Sequence, residues 1–146
     1  MTDHKENKDW MESLRERVLA GEDVSPSDVD RVRELATASH DEARFALGTW
    51  YVFGSYGLEK DSDLGVGLVE QAARMGNHDA LNWMGLHFEE GNDVDVNDGR
   101  ALNYYICAAV LGNRDAKYNV YRFMEEGIWL EEDQGLANLL RATEDG

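Results

Sequence analysis

The chain has 146 residues, 42% of them hydrophobic, with 30 acidic side chains against 14 basic ones and a formal net charge of −16. That length suits one domain able to bury roughly 68–70% of its unfolded surface, and the charge argues against a surface that binds nucleic-acid phosphates or anionic lipid. A single cysteine, Cys107, excludes an intramolecular disulfide framework, and no run approaches the ~18 apolar residues of a membrane span.

The opening MTDHKENKDW has no apolar core of the kind secretion requires, so the cytoplasm is the expected compartment and residues 1–7 are expected as a flexible tail. Residues 8–40 read as a degenerate helical hairpin. Trp10, Leu14, Val18 and Gly21 are spaced at offsets of 4, 8 and 11 from the first, which marks one helix face and its end. A second helix follows SPSD, where Ser25 or Ser27 is the expected cap and Pro26 cannot continue a preceding helix.

Three better-matched blocks follow, expected as hairpins 41–76, 77–112 and 113–146 of one domain. Their first helices read DEARFALGTWYVFG, DALNWMGLHFEEG and DAKYNVYRFMEEG. Ala43, Ala80 and Ala116 step by 37 and then 36 residues, and Gly54, Gly91 and Gly127 keep the same steps. Ala43, Leu47, Gly48 and Tyr51 recur as Ala80, Met84, Gly85 and Phe88, then as Ala116, Val120, Tyr121 and Met124. Those offsets lie on one helix face, where small residues admit a neighbouring helix and large ones fill the space beside it. The closing glycines suit helix C-caps. Second helices carry Ala72, Ala73 and Gly76, repeated as Ala108, Ala109 and Gly112.

These positions resemble the Sel-one-like repeat (SLR), a branch of the tetratricopeptide (TPR) superfamily whose units read approximately A-x3-L-G-x2-Y-x2-G, then D-x3-A, then A-A-x2-G. The middle block matches through Ala80, Met84, Gly85, Phe88, Gly91, Asn97, Ala101, Ala108, Ala109 and Gly112. The first block departs at Gly65, where the family has alanine, and the third at Tyr121 and in its missing A-A-x2-G ending, as suits a terminal cap. The resemblance implies an all-α fold: a short right-handed α-solenoid of about four antiparallel helical hairpins.

Motifs of other kinds are weaker. DVDVNDG at 93–99 opens like a calcium loop but has Asp98 where glycine and Tyr104 where a bidentate glutamate are needed, so it reads as a helix connection capped by Asn97 or Asp98. His78 and His87 are nine apart, unlike the i, i+4 pair that shares a zinc ion, and are expected at a surface or interface. GVG at 65–67 lacks a dinucleotide fingerprint. Cys107, beside Ala108 and Ala109, is expected in the core. Adjacent acids such as Glu89 and Glu90 point in different directions on a helix, and no nucleophile, base and orienting group assemble. No catalytic residue, cofactor or metal is expected.

A helical repeat array offers an extended face lined by the first helix of each hairpin. Phased on the anchor alanines, that face holds Glu42, Phe45, Thr49 and Val52, then Asp79, Asn82, Leu86, Glu89 and Glu90, then Asp115, Tyr118, Arg122, Glu125 and Glu126. Acids cluster without lysine or arginine over residues 89–98 and 125–133, a negative ridge suited to steering a basic partner. The expected function is a non-enzymatic protein-binding module that docks on a basic protein or peptide. The resemblance extends this to an adaptor, or to a cytoplasmic immunity or inhibitor protein against a toxic effector, with no membrane or direct nucleic-acid contact. Two alternatives stand beside it: a scaffold self-assembling as a weak homodimer through Trp129 and Leu130, and a nucleic-acid mimic that inhibits a DNA-binding protein.

Overall fold

Capping chemistry sets where the helices begin. The computed structural model describes residues 4–128, and within them seven helices follow one another: α1 (His4–Leu19), α2 (Pro26–Thr37), α3 (Asp41–Phe53), α4 (Ser62–Arg74), α5 (His78–Glu90), α6 (Asp98–Val110) and α7 (Arg114–Glu125). No strand occurs among the described residues. Ser25 caps α2 in a reciprocal capping box with Asp28, and Pro26 takes the first helical turn, where its missing N–H costs nothing. His40, Asn77 and Asn113 cap α3, α5 and α7 from equivalent positions, each accepting the backbone N–H three residues on. Gly54 and Gly91 end α3 and α5 in the left-handed region, at φ 67° and 70°, which a side chain would disfavour.

The chain forms two compact units, residues 1–72 and 73–146. In the first, Met11 and Leu14 of α1, Val29, Val32, Leu35 and Ala36 of α2, and Ala43, Leu47 and Trp50 of α3 make one buried cluster. Its first hairpin, faint in sequence, is joined by Arg17–Asp28 at 3.4 Å and by the Arg31 guanidinium lying 4.4 Å over the Trp10 ring. α1 starts at His4, so residues 4–7 of the expected tail are helical, and the His4 ring lies 6.1 Å from that of His40. α3 and α4 cross at Gly48 and Gly65, too close for a Cβ on either.

In the second unit α6 packs against both α5 and α7. Gly85 admits the Tyr105 ring, which meets Phe123 of α7 edge-on at 5.5 Å. Two expectations fail here. Cys107 is exposed, because α6 turns Ala101, Leu102, Tyr105, Ile106, Ala108 and Ala109 inward and residue 107 falls on the opposite face. His87 is buried, stacked on Trp83 at 5.3 Å and edge-on to Phe88 at 5.6 Å, so its apolar ring surface outweighs its polar nitrogens. The second helix expected for the last hairpin, with Trp129, Leu130 and the acids of 131–133, lies outside the described residues.

Candidate functional site: the first-helix faces

The second unit brings several of the expected face residues together. Asn113, buried at the start of α7, donates from its amide to Asp79 at 3.1 Å and lies 3.1 Å from His78 Nδ1. Two turns further, Asn119 donates to Asn82 at 3.2 Å. At the far end of the face Glu89 Oε1 accepts from Arg122 Nη2 at 2.7 Å and from the Tyr105 hydroxyl at 2.6 Å. α5 and α7 are therefore laced by three polar rungs. Glu89 and Arg122 were both expected on the face, but in the first two rungs only Asp79 and Asn82 were: Asn113, Asn119 and Tyr105 escaped notice, although the 36-residue step that aligns Asn77 with Asn113 pointed to the first.

Arg122 is a cation on this face, and two carboxylates neutralise it, Glu89 and, one turn on at the C-cap of α7, Glu126 at 3.7 Å. Burial acts to raise the Glu89 carboxyl, yet the hydrogen bonds from Arg122 and Tyr105 and the Arg122 charge hold it below its ordinary value. Burial and the Glu89 carboxylate push the Tyr105 phenol far up, so it stays a proton donor. Of the remaining face residues Glu90, Asp115 and Glu125 are exposed, as is the paired Glu126; Leu86 is half-buried and Tyr118 is 67% exposed. Glu90 accepts from Asn92 at 2.8 Å.

On α3, in the other unit, Glu42, Phe45, Thr49 and Val52 are half-buried. Thr49 donates to the Ala46 carbonyl at 2.8 Å. Val52 lies against Gly65, where it closes the α3–α4 crossing. DVDVNDG is a helix connection in which Asn97 caps α6 and Asp93 adopts φ 58°. Among the described residues no three His, Cys, Asp or Glu side chains gather as metal ligands, and no helix is long and apolar enough to cross a membrane.

The sequence model of the Sel1 repeat matches residues 41–77 and 78–113, together half of the chain. The chain belongs to the Sel1 repeat family. A crystal structure of a Sel1 repeat protein from Oxalobacter formigenes is similar at a TM-score of 0.69 and 28% identity, over 77% of this chain and 84% of that one. A protective antigen of uropathogenic Escherichia coli with an SLR fold is similar at a TM-score of 0.65 and 23% identity, over 79% of this chain and 25% of the antigen, and shares the fold. Sel1 repeats are all-α, solenoid-class units, and proteins built from them are generally protein-interaction modules. The two matched Sel1 repeats supply α3 to α6, and α7 follows them.

Proposed function

We propose that this Sel1 repeat protein is a non-enzymatic docking module for a basic protein or peptide, received on its first-helix faces. One observation carries the reading: Arg122 is neutralised by Glu89 and Glu126, while Glu90, Asp115, Glu125 and Tyr118 remain exposed. Such a face attracts cations over a distance of about a Debye length and offers an aromatic ring on which an arginine or lysine can settle. Leu86 serves as an apolar contact on α5 of the same unit. Steering of this kind raises association rate more than it deepens affinity. In the fuller form of the proposal the protein is cytoplasmic and acts by occlusion, as an immunity-type inhibitor covering a basic effector.

The test is capture from native lysate at low salt by the immobilised chain, followed by association kinetics with the captured protein. A basic partner is expected, with an on-rate that falls at least about tenfold when Glu90→Lys and Glu125→Lys are combined. Both side chains are exposed, so the fold tolerates the change. A neutral or acidic partner, or an on-rate indifferent to both substitutions and to salt, overturns the reading.

A further inference from the structure

We propose that His40 makes the start of α3 a proton-sensitive latch, closed while the imidazole is neutral and released in mild acid. The equivalent caps of α5 and α7 are Asn77 and Asn113, whose amides do not titrate near neutral pH. At α3 the cap is a ring nitrogen: Nδ1 of His40 accepts from the Ala43 N–H at 3.4 Å. An accepting Nδ1 carries no proton, which leaves the proton of the neutral ring on Nε2. That Nε2 is buried and meets no hydrogen-bond partner among the described residues. A second proton would have to sit on Nδ1, facing the Ala43 N–H, and would place a charge on a residue only 8% exposed. The cap and the charged ring are mutually exclusive.

Three elements meet at His40. α1 supplies His4, with ring centroids 6.1 Å apart. α2 supplies the Leu35 carbonyl, which accepts the His40 backbone N–H at 2.9 Å. α3 itself supplies Asp41, adjacent in sequence, and Arg44, whose guanidinium binds the Ala36 carbonyl at 2.9 Å and the Ser39 hydroxyl at 3.0 Å. Burial pushes the imidazole below its ordinary value; Asp41 opposes that shift and His4 adds to it. The open state therefore binds the proton more readily than the closed one. Latch stability is full above about pH 6.5 and declines as pH falls through that value toward the folded pKa. Release loosens the first turn of α3 together with the α1 contact that His4 makes. This inference is independent of what the protein binds.

Amide hydrogen exchange on the full chain, read as protection factors from about pH 7.5 to about pH 5, tests it. Protection at Ala43 is expected to fall by up to about tenfold per pH unit below about pH 6.5, and His40→Asn, which installs the cap of the other repeats, is expected to abolish the fall. The wild-type imidazole, followed by NMR, is expected to keep Nδ1 unprotonated to below its ordinary titration range. Equal declines at Ala43 in wild type and His40→Asn overturn the latch. So does a His40 ring that protonates at its ordinary value while Ala43 stays protected. Should His40→Asn not fold, the wild-type ring titration alone decides.

Discussion

Gly48 and Gly65 face each other across the α3–α4 crossing so closely that a Cβ on Gly65 would stand 2.5 Å from the Gly48 carbonyl oxygen and 2.6 Å from Val52 Cγ2. This contact explains the departure of the first repeat from the family pattern. In the second repeat the corresponding small residue is Ala101, and the helix pair is wedged instead by the Tyr105 ring against Gly85. Val69 takes the equivalent of the Tyr105 position in the first repeat, and Val52 the equivalent of Glu89. The two repeats thus solve one crossing differently, through an apolar close approach and through a tyrosine–carboxylate pair.

Gly65→Ala is expected to destabilise the protein by about 1–2 kcal/mol, because overpacking against backbone outweighs the ~1 kcal/mol that alanine contributes to helix propensity. Gly67, on the same helix, has open space around its Cβ direction. Gly67→Ala is expected to stabilise by up to about 1 kcal/mol. Urea unfolding of both variants checks the pair, and the opposite signs are the point of the comparison.

Asparagine caps of different reach should differ in worth. Asn97 is exposed and accepts one backbone N–H, from Arg100 at 3.0 Å. Asn113 is buried, accepts from Ala116 at 2.8 Å and also donates to Asp79 of the preceding repeat at 3.1 Å. Asn97→Ala is expected to cost about 1 kcal/mol and Asn113→Ala about 2–3 kcal/mol, since the second change also removes a hydrogen-bond donor to the Asp79 carboxylate. Equal losses in thermal unfolding would show that the inter-repeat bond contributes nothing.

Acid should act on the second unit in two windows. Burial holds the His87 imidazole below its ordinary value against the pull of Asp93 and Glu90, so its contribution is whole above about pH 6.5 and is lost as pH falls below that. The Glu89 carboxyl, held low by Arg122 and Tyr105, contributes above its unfolded value of about 4.5 and loses that contribution as pH falls through its lower folded value. Unfolding free energy measured against pH is expected to lose its lower step in Glu89→Gln. Tyr105→Phe, which removes one of the two donors, is expected to move that step to higher pH and to cost about 1 kcal/mol at neutral pH. An unchanged lower step in Glu89→Gln would assign it to other carboxylates.

Residue order alone determined the helical repeat, its 36–37-residue step, the glycines that end α3 and α5, and the role of DVDVNDG as a capped connection. Those features are local or periodic: a cap depends on residues three apart, and a buried stripe on side chains a turn apart. Tertiary structure decided the rest. Glu89 was legible as an acid on the first-helix face, but not as one bound by Tyr105, 16 residues on, and Arg122, 33 residues on. Cys107 and His87 exchanged their expected places because a one-residue rotation, about 100° on a helix, separates core from solvent, and only the packed neighbours set that phase. His40 stood in line with two asparagines throughout, yet that its ring is the cap, buried and beside His4 of α1, emerges only in the fold.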